Sequence, residues 1–269
     1  MSNPQSKLQV AIHGAAGRMG RRLVAVGSAD PDVKLVAALE SASHPDLGKD
    51  AGLLAGVGEI GLPLGSNINT HADVVIDFSV PDAALKIGRL CAERKIPLVI
   101  ATTGFEHEQK DELAALGDSI PVVWSPSMSM AVNLTMKLAA TAGRVLKDYP
   151  NGTDVEIIER HHRFKEDAPS GTALRFGEII SGVMGQSDHT HGRAGRPGKR
   201  PGHEIGYHAL RTGDNPGEHT IVFGMLGETI ELTVRASNRD CYAFGAFVAA
   251  KFVAGKPPGL YSMADVLGL

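Results

Sequence analysis

The stretch "LQVAIHGAAGRMGRRLVAVGSAD" covers residues 8–30 and joins a short apolar run to an amphipathic run through three glycines. The apolar run predicts a buried β-strand, and the spacing of apolar residues from 18 to 30 predicts a helix. Gly14, Gly17 and Gly20 lie where the strand becomes the helix. Glycines there permit a tight turn and close helix–strand packing, so the stretch predicts the first βα unit of an α/β domain.

The first half of the chain repeats this alternation of strands and helices. Short continuous apolar strands separated by helices of about a dozen residues are typical of parallel βαβ units. The predicted strands are 33–40, 73–79, 96–103 and 120–125, and the predicted helices are 81–94 and 106–117. A longer helix is predicted from about 130 to 148, with one apolar face formed by Ala131, Leu134, Leu138, Ala142 and Val145.

The pattern changes after this helix. A strand is predicted over 153–162, and a helix over 171–186 that Ser170 opens. Residues 190–202 are predicted to form a Gly/Pro/Arg loop. Consecutive antiparallel strands are predicted over 204–237, and an apolar helix over 241–254. The predicted fold is therefore α/β: a Rossmann-type doubly wound parallel sheet in residues 1–130, and an α+β domain on an open mixed sheet in 131–239.

Composition excludes several classes of protein. The 269 residues carry 27 basic and 30 acidic side chains, a net charge of −3, so no global basic field recruits nucleic acid or an anionic membrane. No apolar run is long enough to span a bilayer, and the N-terminus lacks the layout of a signal peptide. Cys91 and Cys241 are far apart, so we expect free thiols and a cytoplasmic protein without a disulfide framework.

Glu40 adds to the glycine turn. It ends the second predicted strand, where a carboxylate can accept both hydroxyls of an adenosine ribose. A carboxylate also repels a 2′-phosphate, and the next residue is Ser41 rather than an arginine, although Arg18 or Arg21 could approach. We therefore expect a nicotinamide dinucleotide, with NADH used at least as well as NADPH. Later strand ends, "IDFSVP" (76–81), "IATTGF" (100–105) and "WSPSMSMAVN" (124–133), are expected beside it.

The stretch "ERHHRFKEDAPSGTA" (159–173) concentrates positive charge before a predicted helix start. A metal site is disfavoured because adjacent His161 and His162 of a strand point to opposite faces and cations surround them. Nucleic-acid binding is disfavoured because stacking aromatics are sparse. A solvated charge run remains an alternative to an anion pocket, in which the helix start and Lys165 bind a small acid and a histidine delivers a proton.

The loop 190–202 has three open interpretations. It forms a flap that adds Arg193 or Arg200 to the substrate pocket, a contact between subunits, or a solvated loop. His13, His203, His208 and His219 are assigned no role, because isolated histidines more often serve packing or surface positions.

Five motifs occur together in a fixed order: "GAAGRMG" (14–20), "DFSVP" (77–81), "ATTGF" (101–105), the histidine stretch 159–173, and "GEHTIVFGMLGETIELTVRASNR" (217–239). With them the chain resembles, over nearly all its length, the 4-hydroxy-tetrahydrodipicolinate reductase (dihydrodipicolinate reductase) family of bacterial lysine and diaminopimelate biosynthesis. The resemblance implies an NAD(P)H-binding first domain that residues 240–269 complete. It also implies a second domain that binds a small dicarboxylate and builds a homotetramer.

The resemblance also implies roles for individual residues. His161 is the proton donor, with Lys165 as its essential partner, and hydride from the nicotinamide adds to ring C4 of the substrate. The substrate-binding residues are His162, Ser170, Gly171 and Thr172. The cofactor-binding residues are Gly14, Ala15, Ala16, Gly17, Arg18, Met19, Glu40, Ala101, Thr102, Thr103, Ser125, Pro126, Ser127 and Met128. No metal is implied.

The chain departs from the usual family pattern at four positions. Phe164 replaces the third histidine of the cluster, so that histidine is not required for chemistry here. Ser127 stands where asparagine is frequent, Ala101 replaces a common glycine, and Ser41 replaces the arginine that some members use for the 2′-phosphate. Two alternatives stay open at this point: another NAD(P)-dependent dehydrogenase of aspartate-pathway acids, or a non-catalytic dinucleotide sensor on the same fold.

Overall fold

A computed structural model describes residues 6–269, which divide into two compact units. The first unit contains the described residues up to Met130 together with Arg239–Leu269, and the second contains Ala131–Asn238. This division differs from the boundaries expected from the sequence only at residue 239. The binding functions assigned to the two domains stay predictions.

The elements follow the chain in a regular order. The strands of residues 6–269 are β1 (Leu8–His13), β2 (Val33–Leu39), β3 (Leu64–Gly65), β4 (Val74–Asp77), β5 (Leu98–Ile100), β6 (Pro121–Trp124), β7 (Asp154–His161), β8 (Asp188–His191), β9 (Glu204–Arg211), β10 (Glu218–Met225), β11 (Glu228–Arg235) and β12 (Gly259–Tyr261). Their helices are α1 (Arg18–Ala29), α2 (Ala51–Ala55), α3 (Pro81–Arg94), α4 (His107–Leu116), α5 (Met130–Leu146), α6 (Gly171–Met184), α7 (Asp240–Val253) and α8 (Met263–Leu267).

The first unit is built on a seven-stranded parallel sheet with the order β12-β6-β5-β4-β1-β2-β3. Helices α1 and α7 pack on one face of this sheet, and α3 and α4 pack on the other. The chain reverses its direction of winding between β1 and β4, and such a switch point opens a crevice beyond the carboxyl ends of the strands. The Rossmann-type sheet predicted from the sequence is confirmed.

The second unit is built on a five-stranded mixed sheet with the order β11-β10-β7-β9-β8. Strands β7, β9 and β8 run parallel, whereas β10 is antiparallel to both β7 and β11. Helices α5 and α6 bury one face of this sheet against Ile157, Phe223 and their neighbours. Along β7, Val155, Ile157, Glu159 and His161 are buried, and the alternating residues between them are more exposed, as the two-residue period of a strand requires.

The predicted run of consecutive antiparallel strands over 204–237 is wrong in one respect. Strand β9 pairs with β7 and β8 in parallel, and β7 separates it from β10. Only β10 and β11 form the predicted antiparallel hairpin. Alternation of apolar residues identifies a strand, but it carries no information about which neighbour the strand joins.

The apolar face predicted for α5 is not the face that the helix buries. The buried positions are Val132, Thr135, Ala139, Gly143 and Leu146, whereas the predicted positions include Leu134 and Val145, which are 45% and 74% exposed. The two stripes are offset by one residue, and both have helical spacing. A helix that is apolar over most of its circumference offers both, so the spacing alone does not select the buried one.

The short elements are not predicted. Helices α2 and α8 have five residues each, and β3 and β12 have two and three. Strand β8 occupies Asp188–His191, and its last two residues fall within the predicted loop 190–202. Segments this short show too few turns or alternations for a periodic signal to emerge.

Candidate active site

The glycine turn between β1 and α1 leaves a helix start open to a ligand. A Cβ at Gly20 would lie 2.0 Å from the carbonyl oxygen of Gly14, so α1 packs against the turn at a distance that only glycine allows. Gly17 is the N-cap of the twelve-residue α1 and supplies no side-chain hydrogen bond to its N–H groups. Such N–H groups, with the positive end of the helix dipole, fit the pyrophosphate of a dinucleotide.

A cavity of about 810 Å³ lies at the switch point of the first sheet. Its walls include Gly14, Gly17, Glu40, Ser79 and Lys86. The Glu40 carboxylate accepts hydrogen bonds from the backbone N–H of Ala16 at 3.2 Å and of Ser41 at 3.1 Å. The acid expected to hold a ribose therefore lies beside the glycine turn, and the cavity is large enough for much of a nucleotide.

The buried carboxylate of Asp77 connects three loops at this edge of the sheet. It is fully buried and lies 2.6 Å from His13 Nδ1, Ser79 Oγ and Thr102 Oγ1. Thr102 Oγ1 in turn accepts a hydrogen bond from the Ser79 backbone N–H at 3.0 Å. Thr102 is thus placed beside the switch point as expected, but Asp77 and His13, which hold it there, were not singled out from the sequence.

The remaining expected cofactor residues occupy varied environments. Arg18, Thr103 and Pro126 are exposed, Met19 and Ser127 are half-buried, and Ala15, Ala16, Ala101, Ser125 and Met128 are buried. Ser125 Oγ donates a hydrogen bond to the carbonyl oxygen of Ser127 at 2.9 Å. Because the side chains of Met128 and Ala101 belong to the hydrophobic core, only the backbone of these two residues is left for a cofactor.

In the second unit, the histidine stretch forms a buried cluster around Glu159. His161 ends β7 and is 8% exposed, and its Nδ1 lies 2.5 Å from Glu159 Oε2. Arg211 of β9 donates to both oxygens of Glu159, at 2.9 and 2.7 Å. The backbone N–H of Ser170 donates to Glu159 Oε1 at 3.1 Å. One carboxylate therefore joins the end of β7, β9 and the start of α6.

Glu159 is ionised under ordinary conditions. Burial alone would favour its neutral form, but hydrogen bonds from His161 and Arg211 outweigh burial and lower the pKa of Glu159 to about 2. His219 of β10 lies with its ring centre 5.2 Å from that of His161. Burial, reinforced by the proximity of His161, lowers the pKa of His219 to about 4, so His219 is neutral at physiological pH.

The start of α6 lies next to this cluster. Ser170 caps the helix by accepting from the Ala173 N–H at 3.2 Å, and its hydroxyl lies 3.0 Å from His219 Nε2. Gly171 is exposed and Thr172 half-buried. Lys165 Nζ donates to Asp167 at 2.7 Å, and Arg211 donates to the Asp167 carbonyl at 2.7 Å, so Lys165 is held near the same loop. This combination of helix start and cation is suited to a carboxylate.

Two other residues of the histidine stretch, His162 and Phe164, are less buried than His161. His162 is half-buried, and its ring centre lies 6.2 Å from that of Phe164. Phe164, which replaces a histidine of the usual family pattern, is 77% exposed.

Three members of this cluster, Glu159, Arg211 and His219, are not predicted from the sequence. Glu159 had a signal, because it lies two residues before His161 and so shares its strand face. Arg211 and His219 had none, since they reach the cluster through the pairing of β9 and β10 with β7. Register between strands distant in the sequence is not encoded in local periodicity.

A second charged cluster lies on the opposite face of β7. Glu156 accepts from Arg193 at 2.7 Å and from Arg200 at 3.0 Å, and His208 Nε2 lies 2.7 Å from it. Arg193 also pairs with Glu204. The loop that contains both arginines is therefore held against β7 on the face away from His161, which does not support the flap that adds Arg193 or Arg200 to the substrate pocket.

Family models match nearly the whole chain. The model described as "Dihydrodipicolinate reductase, N-terminus" matches residues 8–128, and "Dihydrodipicolinate reductase, C-terminus" matches residues 131–267. The chain belongs to the dihydrodipicolinate reductase family. The resemblance drawn from the five motifs is confirmed.

Individual relatives are similar in sequence to this chain over nearly their full length. The 4-hydroxy-tetrahydrodipicolinate reductase of Rhodopirellula baltica is 56% identical over 100% of this chain and 99% of its own. That of Alkalilimnicola ehrlichii is 47% identical over 97% of this chain and 99% of its own. The dipicolinate-bound dihydrodipicolinate reductase of Paenisporosarcina sp. TG-14 superposes with a TM-score of 0.76 at 26% identity, covering 96% and 98% of the two chains.

Membership of the dihydrodipicolinate reductase family has direct consequences. The chain is an enzyme of the oxidoreductase class, and its Rossmann-type sheet implies a nicotinamide cofactor. Within residues 6–269, no helix combines the length and apolar character that a membrane span needs. The same residues contain no group of three or more histidine, cysteine, aspartate or glutamate side chains that could hold a metal ion.

Proposed function

We propose that this chain reduces 4-hydroxy-tetrahydrodipicolinate to tetrahydrodipicolinate with NADH or NADPH, a step of diaminopimelate and lysine biosynthesis. The names of the relatives support this reaction, and the dipicolinate bound to the Paenisporosarcina protein supports a small cyclic dicarboxylate as substrate. The observation that carries the proposal is the placement of His161: a buried histidine held by a carboxylate, next to Lys165 and the start of α6.

Substrate binding is assigned to the second unit. The N-terminus of α6, which is exposed at Gly171 and half-buried at Thr172, offers N–H groups and a hydroxyl to one carboxylate, and the helix dipole favours the negative charge. Lys165 supplies a compact positive charge, and His162 lies half-buried beside it. Ser170 acts through the helix start that it caps. These contacts orient the ring relative to the proton donor.

His161 is the proton donor of the reaction. The substrate loses water to give a conjugated dihydropyridine, and the nicotinamide supplies a hydride to ring C4. The electron pair displaced along the ring then takes a proton at C3. His161 donates that proton, and the ionised Glu159 beside it stabilises the imidazolium form that precedes donation. The balance is one hydride and one proton added, and one water lost.

The first unit holds the cofactor in this proposal. The N–H groups at the start of α1 bind the pyrophosphate, and Glu40 accepts the ribose hydroxyls. Glu40 and the serine that follows it support NADH at least as strongly as NADPH, because Glu40 repels a 2′-phosphate. Lys86 also lines the cavity, and Arg21 Nε is engaged with the Ala16 carbonyl at 2.9 Å. Cytoplasmic location and a homotetramer remain predictions.

The assay that tests the proposal combines enzymatically generated substrate with each reduced cofactor. We expect both cofactors to be oxidised, with kcat/KM for NADH at least equal to that for NADPH. If neither NADH nor NADPH is oxidised, the proposed reaction is contradicted. A preference for NADPH of about hundredfold would contradict the role of Glu40 in disfavouring a 2′-phosphate.

A matched variant isolates the charge of Glu40. Glu40→Gln keeps the shape of the side chain but removes the repulsion of a 2′-phosphate, so the ratio of kcat/KM for NADPH to that for NADH should rise about tenfold. An unchanged ratio would remove Glu40 from cofactor selection.

A further inference from the structure

The environment of His161 assigns a distinct task to Glu159. We infer that Glu159 is a positioning residue that keeps a proton on Nδ1 of His161 and fixes the orientation of its ring. The inference rests on the proposed role of His161 as proton donor, and it adds a group that holds that donor in its working form.

The contacts of Glu159 determine which partner donates each of its hydrogen bonds. Its side chain is 1% exposed, and each oxygen meets two neighbours. Oε1 accepts from the Ser170 N–H at 3.1 Å and from Arg211 Nη2 at 2.7 Å. Oε2 accepts from Arg211 Nη1 at 2.9 Å and lies 2.5 Å from His161 Nδ1. A backbone N–H and a guanidinium act only as donors, whereas an imidazole nitrogen can donate or accept.

An ionised carboxylate accepts hydrogen bonds and donates none. Nδ1 of His161 must therefore carry the proton, which leaves Nε2 as the nitrogen for exchange with the substrate. Nε2 faces Gly217, where a Cβ would lie 3.0 Å from it and crowd that side of the ring. The carboxylate thus holds Nδ1, and the missing side chain at Gly217 leaves room beside Nε2, the nitrogen left for proton exchange.

Replacing Glu159 by glutamine makes a sharp prediction. A glutamine has one acceptor oxygen and one NH2 group. An NH2 at the Oε1 position would face two obligate donors, Ser170 N–H and Arg211 Nη2, whereas at the Oε2 position it would face only one, Arg211 Nη1. The NH2 therefore takes the Oε2 position, where Nδ1 of His161 can accept from it if the imidazole moves its proton to Nε2. Glu159→Gln should convert neutral His161 from the Nδ1-protonated to the Nε2-protonated tautomer.

Glu156 provides a matched control on the same strand. It too lies between arginines and a histidine, since Arg193, Arg200 and His208 surround it, but on the opposite face of β7. Glu156→Gln should alter the imidazole of His208 and leave that of His161 unchanged. The same chemical change thus reports on two histidines separately.

Nitrogen NMR of histidine-labelled protein at alkaline pH distinguishes the two tautomers, with His161→Gln and His208→Gln used for assignment. We expect Nδ1-protonated His161 in the wild-type chain and Nε2-protonated His161 in Glu159→Gln, with kcat lowered about 10²-fold and KM little changed. A wild-type His161 protonated on Nε2 overturns the inference without any Glu159 variant, so the test survives poor folding of Glu159→Gln. An unchanged tautomer in that variant also overturns it.

The failure of this inference is separable from the failure of the proposed function. If His161 is not the proton donor, His161→Gln keeps its kcat while Glu159→Gln still switches the tautomer. If Glu159 does not position His161, the His161→Gln variant loses activity and the tautomer stays the same in Glu159→Gln.

Discussion

The two faces of β7 carry ionic clusters of similar composition and different consequence. Glu159 on one face contacts a histidine and one arginine, and Glu156 on the other contacts a histidine and two arginines. In both, the pKa is lowered to about 2 because those hydrogen bonds outweigh burial. On the Glu159 face, the histidine ends the strand beside an exposed helix start. On the Glu156 face, the arginines fasten a loop to the sheet.

This difference teaches how to interpret positive charge in a sequence. Both the stretch 159–173 and the loop 190–202 are rich in basic residues, yet Arg193 and Arg200 of the loop are paired with carboxylates of β7 and β9. In the first stretch, Glu159 pairs with His161 of the stretch itself and with Arg211 of β9. A high density of positive charge in a sequence indicates that anions are bound there. Whether the anion is a carboxylate of the protein or a ligand depends on which side chains contact the basic residues.

The largest effect is expected at His161, and the histidine paired with the other glutamate, His208, is its matched control. His161→Gln should lower kcat by about 10²-fold or more with little change in NADH affinity, the usual size for a lost general acid. His208→Gln, on the opposite face, should change kcat by less than about twofold. Steady-state kinetics with titration of NADH fluorescence measures both, and an unchanged kcat in His161→Gln would remove His161 from the role.

The next largest effect concerns Lys165. Lys165→Ala removes the compact charge that holds a substrate carboxylate, so both kcat and KM should worsen, each by about tenfold. The kinetics of substrate and cofactor, varied independently, separate the two affinities. A variant in which only NADH affinity falls would contradict the assignment of Lys165 to the anion pocket.

A smaller effect on catalysis is expected on the Glu156 face. Arg193→Ala leaves Glu156 and Glu204 short of donors, so the free energy of unfolding should fall by about 2 kcal/mol. The value of kcat should stay within about twofold of the wild type, because the loop lies away from His161. Urea denaturation and the standard assay provide the two numbers. A large loss of kcat in a folded variant would restore the flap interpretation.

The smallest effect is the dependence of stability on acid. Glu156 has a folded pKa of about 2 against an ordinary value of 4.5, so the unfolded chain binds more protons in between. The stabilisation from this group is complete above about pH 4.5 and disappears as the pH falls towards 2. Urea midpoints measured across the upper part of this range should fall less steeply for Glu156→Gln than for the wild type. Equal slopes would contradict the lowered pKa.

Much of the fold could be predicted where local chemistry is decisive. Helix α3 has the bounds predicted for it, since Pro81 suits its first turn and an apolar stripe follows. Ser170 opens α6 as predicted, because its hydroxyl caps the helix. The parallel pairing of β9 and the buried face of α5 could not be predicted, since several partners or stripes satisfy the same pattern.

The site divides in the same way. His161, Lys165 and the start of α6 all lie within the stretch 159–173, so this motif could be recognised as a unit from the sequence. Arg211 and His219 join them only through strand pairing, and Asp77 with His13 joins the cofactor loops only through the switch point of the sheet. Residues that support a site from neighbouring strands are recognised once the sheet order is known.

One measurement tests most directly whether this chain is a hydride-transfer reductase. NADH carrying deuterium at its transferable C4 position is consumed with enzymatically generated 4-hydroxy-tetrahydrodipicolinate, and the product is examined by NMR and mass spectrometry. We expect one deuterium at ring C4 of the tetrahydrodipicolinate. Deuterium at another ring carbon, or none in the product, would contradict it.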